Sequence, residues 1–210
     1  MSGKLTSTKH KEIDYADEYD DLARQTESHS AEIIFGLAYE YIQPGQTLLD
    51  IGIGTGLSSN LFYQVGMDIY GLDNSPEMLN VCKNKDITVD LKLFDLNQGP
   101  LPYANEQFDH AISVGVFHFF QDLDSFFGEA KRIIKPGGTF SFTVIVSDDG
   151  ISHEFNEEYQ INVYGHNQEY LEDLITKYNF KLLKRIRFLI FKDVAKTERI
   201  CFEAYVLISD

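Results

Sequence analysis

The stretch Leu48-Leu49-Asp50-Ile51-Gly52-Ile53-Gly54-Thr55-Gly56 constrains the fold of this chain more than any other. An apolar run ends in an acid, three glycines follow at every second position, and a helix-like pattern begins at Leu57. A continuous apolar run suits a parallel strand covered on both faces. The glycines strip side chains from the turn into the next helix, so a ligand can lie against bare backbone. The helix start beyond the turn favours an anionic group. The turn therefore says that something binds there and leaves its identity open.

The rest of the chain supplies the frame. Residues 1–11 are polar and expected to be frayed. Residues 13–25 space Tyr15, Ala16, Tyr19, Leu22 and Ala23 as one helix face, with Asp14, Asp17, Glu18, Asp20 and Asp21 opposite. A second helix is expected through Tyr41 with Ser28 or Ser30 as its cap, stopped by Pro44-Gly45. Strands are expected over 47–51, 67–72, 88–94, 108–114 and 139–146, and helices lie between them over 56–65, from Ser75-Pro76, and over 122–134. Lys135-Pro136-Gly137-Gly138 is expected to stop the last of these. Residues 147–165 are acidic and aromatic without clear period, a kind of stretch that is usually functional. A helix over 167–178 precedes two long strand-like runs joined by a short link, which must pair antiparallel.

This order implies an α/β, Rossmann-like open sheet, mostly parallel with one antiparallel strand from a C-terminal hairpin, and with helices on both faces. Such sheets bind ligands beyond the carboxyl ends of their strands. Asp50, Asp73 and Asp95 end the first three strands, so three acids share one rim. At 210 residues the chain suits a single domain. Its expected parts are a helical lid over 1–45, a ligand-binding core over 46–146, a substrate-covering insertion over 147–165, and a closing helix and hairpin over 166–210.

A net charge of −15 and the lack of a dense basic cluster argue against nucleic acid as a partner; Lys181 to Arg187 alternates with apolar residues like a solvated strand face. Cys82 and Cys201 lack metal-ligand spacing, so no metal is expected and both read as free thiols in a reducing compartment. No segment has signal-peptide or membrane-span character, so a cytoplasmic protein without a membrane partner is expected.

A dinucleotide fingerprint would need glycine at position 57, where Leu57 stands, and no Gly-Lys-Ser/Thr of a P-loop follows the turn. A ligand suited to this rim has a compact anionic group, hydroxyls that an acid can accept, and some positive charge. An amino acid joined to a nucleoside has all three.

Four motifs in series resemble the class I S-adenosylmethionine-dependent methyltransferases: the glycine turn from Leu49 to Gly56, Gly71-Leu72-Asp73-Asn74-Ser75-Pro76-Glu77-Met78-Leu79, Phe108-Asp109-His110-Ala111-Ile112-Ser113, and Lys135-Pro136-Gly137-Gly138. Within that family the chain is similar to the small-molecule group that includes the quinone and arsenite types. The resemblance implies S-adenosyl-L-methionine as cofactor. It places Gly52, Gly54 and Gly56 under the methionine end, with Asp50 on its ammonium side. Asp73 would accept the ribose hydroxyls. Asn74 and Met78 would line the adenine, Asp95 would accept its amino group beside the Leu96 amide, and Ser113 and Val114 would offer backbone carbonyls. Tyr19, with Tyr15, would serve the lid.

Methyl transfer is an in-line displacement that needs alignment more than a catalytic group. His118, in Gly115-Val116-Phe117-His118-Phe119-Phe120, is the candidate base if the acceptor must lose a proton. His153, Tyr164 and His166 would cover the acceptor site, and Phe117, Phe119 and Phe120 could wall it. The acidic composition and the absence of an Asn-Pro-Pro-Tyr signature or an arsenite-type cysteine set lean toward a small-molecule acceptor. The alternative is a catalytically silent cofactor-binding subunit of another methyltransferase.

Overall fold

The computed structural model describes residues 15–156 and 161–210. The expected frayed segment 1–11 and the first two residues of the expected helix 13–25 lie outside the described residues. From 15 to 25 the chain is helical (α1). Helix α2 (Ser30–Ala38) follows and ends in a 3-10 turn at Tyr39–Tyr41. Neither expected serine caps it: His29 holds the cap position without a side-chain hydrogen bond, and Ser30 is buried as the first helical residue. The Ile33 amide instead donates to the His29 carbonyl at 2.9 Å.

The core then alternates β1 (Thr47–Ile51), α3 (Leu57–Gln64), β2 (Asp68–Asp73), α4 (Pro76–Asn84), β3 (Asp90–Leu93), β4 (Phe108–Ser113), α5 (Asp124–Ile133) and β5 (Ile134–Val146). Helix α4 forms as its sequence suggests: the Ser75 hydroxyl accepts from the Met78 amide at 3.1 Å and Pro76 fills the first turn. The order β3-β2-β1-β4-β5 is parallel throughout. On the far side of β5 lies β9 (Arg199–Ser209), antiparallel, then β8 (Phe180–Phe191) on the edge. Alternate side chains of β1 enter opposite layers. Leu48 packs with Ile34, Phe62 and Ile69 under α2 and α3, while Leu49 and Ile51 join Phe108, Phe127, Phe140 and Phe142 under α5 and α6 (Gln168–Lys177). Asp50 therefore faces α3. No helix among the described residues is long and apolar enough to cross a membrane.

Two expectations give way to the geometry. Lys135-Pro136-Gly137-Gly138 does not separate α5 from the strand but sits inside β5 as a bulge: Ile134 already pairs with Phe108, and pairing resumes at Thr139 with His110. Lys135 Nζ donates to Asp109 at 2.7 Å, and a Cβ on Gly138 would stand 2.1 Å from the Asp109 carbonyl, so the bulge needs glycine there. Residues 147–165 are not irregular either. They carry a hairpin of β6 (Ser152–Asn156) and β7 (Ile161–His166), antiparallel to each other. β7 pairs with Ile145 and Val146 of β5. Ile145 also pairs with Phe202 of β9, so β7 must occupy the other edge of β5, beyond the end of β4. That placement sets the hairpin over the carboxyl rim of the sheet.

A buried histidine makes the core acid-sensitive. His110 on β4 bridges Thr139 Oγ1 (2.8 Å) and Gln46 Oε1 (3.0 Å) and is 3% exposed. Burial pushes its pKa down to about 4. Between that value and about 6.5 the unfolded chain binds more protons than the folded one, so stability falls as pH falls. From pH 6.5 to 5 this contributes a loss of about 2 kcal/mol. Asp50 works in the opposite sense, because its raised pKa relieves the fold of a buried charge at low pH. Urea denaturation at pH 7 and pH 5 of the native protein and of His110→Asn isolates the histidine part: the variant is expected to lose about 2 kcal/mol less over that interval. Equal losses would mean that His110 carries none of it.

Candidate active site

The glycine turn closes onto the ends of β1 and β2. The amides of Gly52 and Ile53 both donate to the Leu72 carbonyl (2.9 and 3.0 Å), and the Gly56 amide donates to the Ile53 carbonyl at 2.8 Å. Gly52, Gly54 and Gly56 all have positive φ (+79°, +54°, +80°), a region glycine enters without strain. Their roles differ. A Cβ on Gly52 would lie 2.4 Å from Val116 Cγ2 and one on Gly56 would lie 2.8 Å from Cys82 Sγ, whereas a Cβ on Gly54 meets no protein atom within 4 Å. Gly54 thus presents bare backbone to a cavity of about 890 Å³ that runs along the carboxyl rim. From β3 to β5 the rim spans four strand spacings, about 19 Å.

The three rim acids all reach this cavity, in different states. Asp50 is 2% exposed, accepts from the Ser59 hydroxyl at 2.7 Å, and has its pKa raised to about 7 by burial, with the nearby Asp73 charge adding to the rise. Asp73 accepts the Gly54 amide on one oxygen and the Ser75 amide on the other, both at 2.9 Å. Burial raises its pKa, opposed by the backbone amides of Ser75, Gly54 and Asn74. Asp95 accepts from the backbone and side-chain nitrogens of Asn97, each at 2.9 Å, and these bonds hold its pKa below the usual carboxylate range.

Asn74, Met78, Leu96 and Val114 line the same cavity, as do Tyr15, Tyr19 and Tyr164. Two expected contact residues do not. A Cβ on Gly56 would meet Cys82 and Ile87, so the glycine lets α3 start close to α4, where Cys82 is buried. Ser113 is fully buried and donates to the Ile51 carbonyl at 3.0 Å, tying β4 to β1 behind the cavity wall. The aromatic run after β4 divides: Phe117 sits in the core, while His118, Phe119 and Phe120 line the cavity. His118 is pushed down to about 4 by burial and by His166, so it is uncharged at neutral pH. His166 is 1% exposed and stacks on Tyr170, and His153 bonds Asn162 at 2.8 Å; neither lines the cavity.

One functional residue was hidden among the acids of α1. Asp20 accepts from Thr55 Oγ1 at 2.6 Å and from Lys85 Nζ at 2.5 Å, so it latches the helix onto the glycine turn and onto the end of α4. Tyr15 and Tyr19, in edge-to-face contact with centroids 5.7 Å apart, are held over the cavity by that latch. Breaking it frees a lid rather than the core. Asp20→Ala is expected to raise the dissociation rate of S-adenosyl-L-homocysteine about tenfold, the equivalent of one partly buried charged contact. Stopped-flow release of that ligand checks it; an unchanged rate would show that α1 does not retain the ligand.

Comparison with known proteins points the same way as the geometry. Residues 49–142 match the methyltransferase domain family, and that match supports the resemblance to the class I S-adenosylmethionine-dependent methyltransferases. It is 31% identical over 97 residues to a demethylmenaquinone methyltransferase of Tropheryma whipplei, covering 46% of this chain and 41% of that protein. It is 35% identical over 111 residues to an 18S rRNA (guanine(1575)-N(7))-methyltransferase of Saccharomyces cerevisiae, covering 47% and 40%. The chain thus spans about two-fifths of the length of these curated relatives. Among solved structures, a 1,6-didemethyltoxoflavin-N1-methyltransferase of Burkholderia thailandensis, with 1,6-didemethyltoxoflavin and S-adenosylhomocysteine bound, superposes with a TM-score of 0.70. At 16% identity over 100% of this chain and 91% of that one, it shares the fold.

The cofactor of the family is S-adenosyl-L-methionine, and the residues present fit it. Gly54 leaves a cradle that any Cβ would fill, Leu57 and Ser58 at the start of α3 line the same cavity, and a carboxylate stands at each of three successive strand ends.

Proposed function

We propose that this chain transfers a methyl group from S-adenosyl-L-methionine to a small-molecule acceptor by in-line displacement. The observation that carries the reading is the division of the cavity. Its inner half, over β1 to β3, holds the glycine turn and all three carboxylates. Its outer half, over β4 and β5, is bordered by the run after β4 and by Ile161, Asn162 and Tyr164 of the β6–β7 hairpin. No Lys or Arg lines the cavity among the described residues, and the chain carries −15 overall, a poor match for a polyanionic acceptor. The relatives act on acceptors as different as a demethylmenaquinone and an rRNA guanine by name, so the acceptor class rests on this chain's own walls.

When bound, the cofactor supplies an activated methyl on a sulfonium. The chain's residues bind and align. Asp73 would take the ribose hydroxyls, with Asn74, Met78, Asp95 and Leu96 around the adenine. Gly52 and Gly54 would underlie the methionine end, with its carboxylate toward the start of α3, and Asp50 and Val114 would lie on its ammonium side. Tyr19 closes the lid and excludes water, which strengthens every electrostatic contact inside. His118 faces the outer half, uncharged at neutral pH.

Incubating the purified chain with methyl-labelled S-adenosyl-L-methionine and fractionated metabolite pools tests the proposal. Label is expected in a low-molecular-weight product and to vanish in Asp73→Ala. Label found only in RNA or protein, or only when a second polypeptide is added, would overturn it in favour of a macromolecular acceptor or a silent subunit.

A further inference from the structure

We propose that the outer half of the cavity takes a planar, uncharged aromatic acceptor, stacked among its rings and hydrogen-bonded by His118. The inference rests on the methyl-transfer reading of the inner half and adds the acceptor's chemistry.

Shape comes first. Rings converge on this chamber from separate parts of the chain: Phe119 and Phe120 after β4, Tyr164 from β7 and Phe202 from β9. Phe119 is 44% exposed although its neighbour Phe117 is fully buried, so the run after β4 spends one ring on the core and offers the next to the chamber. Flat faces and edges at several orientations suit a flat guest, which gains offset or edge-to-face contact with each wall.

Charge decides between guests of that shape. The charged side chains lining the cavity, among the described residues, are Asp50, Asp73 and Asp95, all at the ends of the first three strands. An anionic acceptor would find no Lys or Arg among the described residues of the cavity walls to offset its desolvation. An aliphatic ammonium could rest on the aromatic faces. Its nitrogen has no lone pair until it loses a proton, and the chamber's imidazole, held at about 4 by burial, takes up protons far too weakly to remove one from a group like lysine's, near 10.4. An uncharged aromatic guest meets neither obstacle.

His118 supplies the directional contact. Its Nδ1 is shut off from solvent and has no hydrogen-bond partner, while the ring lines the cavity. Nε2 is therefore the polar atom the ring can offer the chamber. The ring packs against Phe119 (centroids 4.1 Å apart) and Phe202 (6.0 Å), which fixes its orientation. A buried neutral imidazole set among rings acts as a positioning group more readily than as a proton acceptor.

The full chain is first titrated calorimetrically with S-adenosyl-L-homocysteine at pH 7.5; absence of binding would overturn the methyl-transfer reading itself. The loaded protein is then titrated with three bicyclic probes: isoquinoline (planar and uncharged), 2-naphthoate (planar and anionic) and decahydroisoquinoline (puckered and cationic). Isoquinoline is expected to bind at least about tenfold more tightly than either of the others. His118→Phe, which keeps a ring and removes the nitrogens, is expected to weaken isoquinoline about tenfold, and His118→Gln to recover part of that loss. Equal or tighter binding of 2-naphthoate or decahydroisoquinoline, no binding of isoquinoline, or full affinity in His118→Phe would overturn the proposal. Should His118→Phe fail to fold, the ranking of the three probes on the native chain decides alone.

Discussion

Replacing Asp73 with alanine is expected to weaken S-adenosyl-L-homocysteine binding by at least about a hundredfold. The carboxylate is set before any ligand arrives. The Gly54 amide holds one oxygen and the Ser75 amide the other, both at 2.9 Å. Each oxygen keeps a second lone pair, so a pair of adjacent hydroxyls can be accepted without moving the side chain. Hydrogen bonds to a charged acceptor contribute about 1.5–3 kcal/mol each, so losing two costs about 3–6 kcal/mol of binding. Asp73→Asn keeps the size, loses the charge and turns one acceptor into a donor, and should fall between native and alanine. The variants need a stability check, since Gly54 and Ser75 lose their acceptor as well. Calorimetry on folded Asp73→Ala decides the point: affinity within threefold of native would remove Asp73 from the ribose contact, whatever the rest of the site does.

Most of the inner half of the site could be read from local patterns. A strand, a glycine turn and a helix start are contiguous, and an acid at the end of each of three strands needs only the strand boundaries to be placed on one rim. Ser75-Pro76 marks the start of α4 by chemistry that acts within four residues. The parts that sequence reasoning missed depend on distant partners. Asp20 looks like its neighbours on an acidic helix face, and nothing nearby in the chain reveals that its partner Lys85 lies 65 residues away. The β6–β7 hairpin has weak strand chemistry in Ser152-His153-Glu154-Phe155-Asn156, and its register comes from pairing with β5. Lys135-Pro136-Gly137-Gly138 carries every residue of a helix stop, and α5 does end at Ile133, one residue short of it. The bulge exists because Ile134 has already joined Phe108, a pairing set by β4 and invisible locally. Gly56 and the Ser113 side chain also have distant partners, Cys82 and the Ile51 carbonyl, that no local motif shows.

The same substitution made two residues apart should separate folding from binding within the glycine turn. At Gly52 a new Cβ would stand 2.4 Å from Val116 Cγ2 and 3.1 Å from Cγ1, on a backbone with φ +79°. Val116 is 8% exposed and cannot swing away without disturbing Phe117 beside it in the core. Strain and overpacking together put the cost of Gly52→Ala at about 2–4 kcal/mol of stability. At Gly54 the Cβ meets nothing within 4 Å, so the fold bears only the left-handed backbone penalty, about 1–2 kcal/mol. That Cβ projects into the cavity where Asp73 already grips the Gly54 amide, so Gly54→Ala should instead lower affinity for S-adenosyl-L-homocysteine more than about tenfold. Urea denaturation and calorimetry on both variants give a crossed result if this is right: Gly52→Ala the less stable, Gly54→Ala the weaker binder among folded molecules. Parallel losses in the two would mean that the turn is one rigid unit whose distortion, rather than the open space over Gly54, governs ligand binding.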